Sequence, residues 1–419
     1  MGYKDTEVGR IPKEWRLAQL IDEVEIIMGQ SPKSEFYNDK GEGLPFMQGR
    51  KTFGDKYNEI DTWCTDPKRL ANKGDVLMSV RAPVGDVNIA RMDLCIGRGL
   101  ASLRMKNKNN EYLYYLLKNF AGTIASRGTG TVFASINKKG LETLKLPFCS
   151  DNEQKAIAHI LSTLDEKIEI NNQINKKLEE IAQTIFKHWF VDFEFPNEDG
   201  EPYKSSGGEM VESELGMIPK GWEVRELGEI AMMKNGVNYS REQEGTEVKV
   251  VNVRDFDGSV IVNTSNLDSI LLPERQIKDY LLYEYDTVVV RSARPGETLL
   301  VTNNSQVVYS GFTIRVQTNE DILKLYVFYC IRNAMEILNN SSNGTIFKNL
   351  NQKILGALKI VVPNKDVIEV YNSIVIPILN QISEGVEENE KLTQLRDTLL
   401  PKLMSGEIRV PLESEDDIS

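Results

Sequence analysis

Apolar residues recur at alternating steps of four and three over two long stretches of this chain. In the first, after Ile157, the stripe runs Leu161, Leu164, Ile168, Asn171, Asn175, Leu178, Ala182, Ile185, Trp189. In the second, after Ile378, it runs Ile382, Gly385, Asn389, Leu392, Arg396, Leu399, Leu403. This is heptad spacing sustained over four heptads or more. It predicts two long helices that pair along the stripe, with Leu164, Ile168, Asn175, Leu178 and Ile185 on one side and Ile382, Asn389, Leu392 and Leu399 on the other. Asn175 and Asn389 hold equivalent positions; a polar residue in such a seam costs stability and selects one register. At about 1.5 Å per residue the first stripe spans roughly 50 Å. Pro, Gly and Ser after WFVDFEFP stop the first helix and predict a connector. The second stops near Gly406, before a strand-like IRVPL. Elsewhere DVLMSV, TVVVRSA and GFTIRVQT read as strands, and EYLYYLLKNFAG and ILKLYVFYCIRNAMEIL as amphipathic helices.

The pattern occurs twice. GRIPKEWRLAQL, from Gly9, returns as GMIPKGWEVREL from Gly216, with six of twelve positions identical. GDVLMSVRAPVGD (from Gly74) returns as YDTVVVRSARPGE (from Tyr285), and GTGTVFASINKKGLETLKLP (from Gly128) as SNGTIFKNLNQKILGALKIV (from Ser342). Three anchors in one order, about 210 residues apart, indicate a duplicated domain, not a solenoid. Residues 28–72 and 234–283 share almost nothing, which suits two modules doing one job on different targets; drift after duplication would give the same pattern. The predicted class is α+β: two mixed α/β domains related by a pseudo-two-fold axis and separated by two long antiparallel helices. The boundaries are 1–150 (first domain), 151–195 (first helix), 196–215 (connector), 216–363 (second domain), 364–406 (second helix) and 407–419 (tail).

Charge adds a division of labour. The net −12 resolves into +5 for residues 1–150, −9 for 151–215, −1 for 216–363 and −7 for 364–419. Phosphate contact needs a local positive face and not a positive total, so the domains suit nucleic acid better than the acidic helices do. No run of about 18 apolar residues predicts a membrane span, and MGYKDTEVGR lacks the apolar core of a signal peptide. Cys64, Cys95, Cys149 and Cys330 are far apart with no C-x-x-C pair, which predicts buried free thiols and a cytoplasmic setting. His159 and His188 read as solvated or interface residues, and no metal site is expected. No adenine-methyltransferase N/D-P-P-Y/F segment, Gly-rich cofactor loop or G-x-x-x-x-G-K-[ST] loop is present, so no cofactor and no catalytic residue is expected.

The GxIPxxW entry, the GTxxF…N turn, WFVDFEFP followed by PYKSSGGEM, and the ending LRDTLLPKLMSGEIRV resemble the specificity subunits of type I restriction–modification systems, over residues 1–410. The resemblance implies a non-catalytic subunit with two target-recognition domains, each reading half of a bipartite double-stranded DNA target. It implies that the helices fix the spacing and dock two modification (methyltransferase) subunits, with two restriction (translocase/nuclease) subunits in the full complex. Arg396, standing where the first copy has Ala182, departs from strict equivalence of the helices.

Base reading needs Arg, Lys, Asn or Gln at groove edges, and backbone contact needs cations and turn amides. In copy one the candidates are Gln48, Arg50, Lys51, Lys56, Arg81, Arg127, Thr129, Lys138 and Lys139. In copy two they are Arg254, Arg291, Arg294, Asn343, Lys348 and Lys353. Phe133 and Phe347, kept in both copies, read as core. A coiled-coil scaffold or adaptor without a DNA role would explain the heptads and the acidity, but not the family motifs or the basic first copy.

Overall fold

The computed structural model describes residues 2–126, 135–240, 243–302, 306–340 and 349–411. The chain forms two compact units, one of residues 1–168 with 391–419 and one of residues 169–390. Each long helix contributes to both: residues 151–168 and 391–404 to the first unit, 169–186 and 365–390 to the second. The helix ends join the apolar cores, Ile157, Leu161, Leu400 and Leu403 in the first unit and Ala182, Phe186, Ile368 and Tyr371 in the second.

In the first unit a four-stranded antiparallel sheet has the order Val87–Ile89, Val76–Ser79, Leu100–Met105, Val24–Met28. Beside it lies a five-stranded sheet in which Leu94–Ile96 pairs parallel with Leu44–Met47. The second unit repeats the four-stranded sheet and the parallel pair, with three strands in its second sheet. Its four-stranded sheet has the order Ala231–Asn235, Thr313–Thr318, Thr287–Val290, Thr298–Leu300. Its smaller sheet has Val307–Tyr309 parallel to Thr246–Val251. The predicted strands fall in these sheets, and the two apolar helices are Asn110–Asn119 and Lys324–Asn340. The repeat begins earlier than GxIPxxW: Tyr3–Thr6 pairs with Gly9–Pro12, and Met210–Ser213, inside the predicted connector, pairs with Gly216–Pro219.

The connector is packed, not loose. The last turn of the first long helix widens to a π turn at Lys187–Val191, and Phe195 then stacks between Tyr203 (ring centroids 4.6 Å apart) and Trp222 (4.8 Å). In the first unit the matching tryptophan, Trp15, donates its indole N–H to Glu153 Oε2 at 3.0 Å. Arg409 Nε bonds the other oxygen of Glu153 at 2.6 Å. The IRVPL segment is therefore held by side chains, and residues 408–411 form no strand. All four cysteines are free and buried; burial pushes the Cys149 and Cys330 thiols up to about 12.

The long helices, Asp151–Phe186 and Lys365–Met404, pair antiparallel within each unit. In the second unit Asn171 Nδ2 donates to Asn389 Oδ1 at 2.9 Å and to Glu388 Oε2 at 2.7 Å. An offset of 214 residues maps this pair onto Gly385 and Asn175, which also face each other: a Cβ on Gly385 would lie 2.6 Å from Asn175 Oδ1. Asn175 and Asn389 thus hold equivalent places, each opposite a different partner. The same offset maps Asp165 and Arg396, in the first unit, onto Leu379 and Ala182, in the second. Arg396 Nη1 donates to Asp165 Oδ1 at 2.7 Å, and the Tyr115 hydroxyl donates to Asp165 Oδ2 at 2.5 Å. In the second unit Leu379 and Ala182 join the apolar core, and the hydroxyl of Tyr329, the counterpart of Tyr115, is buried without a partner among the described residues.

Removing Asp165 leaves Arg396 with the exposed Asp397 alone and the buried Tyr115 hydroxyl without its acceptor, at a cost of about 3 kcal/mol. Asp165→Ala is expected to lower stability by that amount, read from the urea midpoint. The double variant Asp165→Leu/Arg396→Ala, which installs the second unit's chemistry, is expected to recover most of the loss. A double variant no more stable than the single one would contradict this account.

Candidate nucleic-acid interface

The region that could meet a duplex is built where the two sheets of each unit cross. Gly29 follows Val24–Met28 of the four-stranded sheet and donates its N–H to Leu100 O at 2.9 Å; Gln30 then donates to Ile96 O at 3.0 Å, on the five-stranded sheet. The counterparts are Gly236 to Thr313 O at 3.1 Å and Val237 to Tyr309 O at 2.8 Å. Neither glycine has room for a side chain: a Cβ would lie 2.1 Å from Gly97 O at Gly29, and 2.2 Å from Ser310 O at Gly236. The crossing fixes the chain that follows the inner parallel strand. Gly97 N donates to Met47 O at 2.8 Å, and Ser310 N to Val251 O at 3.0 Å.

Each inner strand then runs into a short 3-10 turn, Arg50–Thr52 in the first unit and Val253–Asp255 in the second. Gln48 is exposed just before the first, with its Oε1 accepting from the Ser31 hydroxyl at 2.9 Å. Exposed Arg50 is ion-paired with Asp86. Lys51 lies 3.2 Å from Asp61, whose carboxyl is held below its usual value first by the Thr62 hydroxyl and then by Lys51. In the second unit Arg254 is exposed and paired with Asp268. Arg294 Nη2 donates to Val253 O at 2.7 Å, joining the 3-10 turn to the turn that carries Arg294.

The third repeated anchor returns to the same place. Arg81, exposed, bridges Ser135 through the backbone, and Ile136 N donates to Val80 O at 3.0 Å. Leu350 N donates to Arg291 O at 2.7 Å. Asn137 then caps Lys138–Glu142 by accepting from Gly140 N at 2.9 Å, and Asn351 caps Gln352–Gly356 by accepting from Ile354 N at 2.9 Å. Exposed Lys138, Lys139 and Lys353 open these short helices. Hydrogen bonds thus link the turns and short helices that carry Gln48, Arg50, Lys51, Arg81, Lys138 and Lys139 in the first unit, and Arg254, Arg291, Arg294 and Lys353 in the second. Arg127, Thr129, Asn343 and Lys348, with Phe133 and Phe347, lie outside the described residues.

Two candidates are placed differently from expectation. Lys56 is only 7% exposed. Its ammonium lies 3.4 Å from Glu111 and over the rings of Tyr57 (5.5 Å) and Tyr115 (5.6 Å), so it serves the fold and not a groove. Its Gly-rich setting suggested a surface loop, but the aromatic residues around it draw the chain inward. Arg291 is half-buried and donates to Gly311 O at 2.9 Å, bracing the edge from beneath. Sequence reasoning missed Asn252, which stands where Gln48 stands. The signal was present as QGR (48–50) and NVR (252–254), an amide two residues before an arginine, inside segments set aside as dissimilar. Among the described residues no group of three or more His, Cys, Asp or Glu could hold a metal ion, and no helix is long and apolar enough to cross a membrane.

The model of the family described as "Type I restriction modification DNA specificity domain" matches residues 12–180 and 219–395. The type I restriction enzyme MjaIX specificity subunit of Methanocaldococcus jannaschii is 28% identical, over 97% of this chain and 96% of its own length. The type I restriction enzyme HindI specificity subunit of Haemophilus influenzae is 27% identical, over 81% of this chain and 88% of its own. A crystal structure of a type I restriction–modification system S subunit from M. genitalium shares the fold, with a TM-score of 0.58 at 17% identity, over 94% of this chain and 96% of that one.

A side chain at the crossing forces apart backbones that no rotamer change can relieve, at about 1–3 kcal/mol. Gly29→Ala is expected to speed amide exchange at Gly97 and Gly99 by at least tenfold while leaving Ser310 to Thr313 unchanged. Unaltered exchange at Gly97 would refute the constraint.

Proposed function

This chain belongs to the type I restriction–modification DNA specificity family, and from that premise we propose that it selects the DNA target of a type I complex, one half-site per unit. The observation that carries the reading is the duplication of the edge: two matched copies of the family domain, each presenting an amide, an arginine turn and a capped short helix at the same place on the same crossed sheets. The candidates that reach this edge are the DNA contacts of the reading: Gln48, Arg50, Lys51, Arg81, Lys138 and Lys139 for one half-site, and Arg254, Arg294 and Lys353 for the other. Their exposed ion pairs are weak in water, so a phosphate or base edge can displace the carboxylate. The chain has no catalytic role of its own and works in the cytoplasm with two modification subunits, joined by two restriction subunits in the full complex. Residues 1–150 and 216–363 are its two reading domains, and 151–195 and 364–406 its spacer helices.

The helices supply the second surface. Ile170, Ile174 and Ile181 stand exposed at steps of four and seven on one face of the first helix, and Leu395, the counterpart of Ile181 by the 214-residue offset, stands exposed on the second. An apolar stripe on acidic helices suits protein better than DNA, and the modification subunits are assigned to it.

Co-expressed with its modification subunits, the chain is expected to direct methylation to one bipartite motif with salt-dependent binding, while the purified chain alone transfers no methyl group. Methylome sequencing that finds no motif, or transfer by the chain alone, would sink the reading. Replacing residues 28–72 by those of another family member is expected to change one half-site and leave the spacer intact. Ile174→Glu is expected to weaken binding of the modification subunit by at least tenfold with helicity unchanged; undiminished binding would remove that face from the interface.

A further inference from the structure

We infer that Gln48 and Asn252 are the matching base-reading amides of the two units, and that each presents its NH2 group as a donor to acceptor atoms on a base edge in the major groove. The inference rests on the target-selecting reading above and adds to it a residue pair and a chemistry.

Strand register makes the two positions equivalent without reference to sequence similarity. In the first unit Cys95 and Ile96 pair with Phe46 and Met47; in the second Val308 and Tyr309 pair with Val250 and Val251. The next residues are Gln48 and Asn252, and two residues further stand Arg50 and Arg254. Residues 28–72 and 234–283 otherwise share almost nothing, yet both deliver an amide and an arginine to one spot on the edge.

The two amides are also oriented alike. The Gln48 carbonyl oxygen accepts from Ser31, at the exit of the crossing. The Asn252 carbonyl oxygen accepts from the Tyr239 hydroxyl at 3.1 Å, while the Asn252 backbone N–H donates to Asp255 Oδ2 at 2.7 Å. Ser31 and Tyr239 follow Gly29 and Gly236 by two and three residues, so the crossing supplies both hydroxyls. At each position one carbonyl lone pair is engaged by that hydroxyl. No bond from Gln48 Nε2 or Asn252 Nδ2 is present among the described residues, which leaves two donors on each. An amide free on both sides pairs with adenine through one donor and one acceptor. With its oxygen tied to the Tyr239 hydroxyl, Asn252 meets a base first through its NH2 group. It is suited to the acceptors of the groove: purine N7, guanine O6 or thymine O4. The neighbouring arginine suits guanine or the adjoining phosphate.

The test uses the complex reconstituted with modification subunits, challenged with a randomised duplex library and read by selection and by methylome sequencing. Asn252→Ala and Gln48→Ala are each expected to relax one base position in one half-site by about tenfold to a hundredfold, with the other half-site unchanged. Asn252→Asp keeps the oxygen that accepts from Tyr239 and replaces the donor by an acceptor, so its position is expected to shift toward a base bearing an amino group, such as cytosine. Seven-deazapurine substitution in the wild-type site separates N7 from O6 or O4 as the acceptor. Uniform loss of affinity across all sequences, as a phosphate contact would give, overturns the inference. So does a wild-type motif that survives both alanine variants, which leaves the target-selecting reading standing. A wild-type complex with no motif overturns both.

Discussion

Backbone approaches backbone at Gly29 and Gly97, and again at Gly236 and Ser310, more closely than any side chain permits. That approach lets one strand leave the four-stranded sheet of each unit and hydrogen-bond into the sheet beside it. Everything on the candidate edge is measured from it. The inner strands Leu44–Met47 and Thr246–Val251 take their register from the adjoining strands, and the 3-10 turns follow them. The capped helices at Lys138 and Gln352 return to the neighbouring strands through Val80 and Arg291. A rigid crossing with variable turns lets the side chains on the turns change while their positions do not, which suits a target reader.

The helix pairing obeys an equivalent geometry with different chemistry. Asn171–Asn389 and Asn175–Gly385 are one contact made twice, as are Asp165–Arg396 and Leu379–Ala182. A seam of leucine alone would tolerate sliding by a heptad; amide pairs and one buried ion pair penalise it. Arg396 departs from the repeat because Asp165 and Tyr115 stand ready to receive it, not because it escapes to solvent. Burial and Arg396 together also depress the ammonium of nearby Lys118. The ion pair thus replaces apolar packing at one of two equivalent joints, and the unpartnered Tyr329 hydroxyl marks what the apolar joint leaves unsatisfied among the described residues.

Much of this was legible in the sequence, for identifiable reasons. Heptad spacing is a local signal that burial enforces, so both helices and the Asn positions could be read directly. The anchors could be read because each is a backbone device: a tryptophan that seals the start of the domain, a capping asparagine, a buried strand. The limits of the compact units could not, because where a helix stops being a spacer and becomes core depends on what packs against it. Lys56 shows the same difficulty in one residue, since a lysine in a Gly-rich stretch looks solvated until Tyr57, Tyr115 and Glu111 are seen around it. Asn252 was missed because similarity was sought residue by residue where only register is kept.

That last failure bears on how such a chain changes its target. Two segments that share almost no residues still place an amide before an arginine at one point in space, and each ties its amide oxygen to a hydroxyl supplied by the same crossing. Drift alone would scatter polar groups over the turn. A requirement for donors at a fixed height above the sheet would keep the type of group and its place while leaving the intervening residue, the residue supplying the hydroxyl and the length of the side chain open, which is the pattern found. Gln and Asn differ by one methylene, enough to move the donor by about 1.5 Å along the groove. The divergent segments thus keep one backbone register, and on the proposed reading the crossing sets where a base is met and the turn sets which acceptors are within reach.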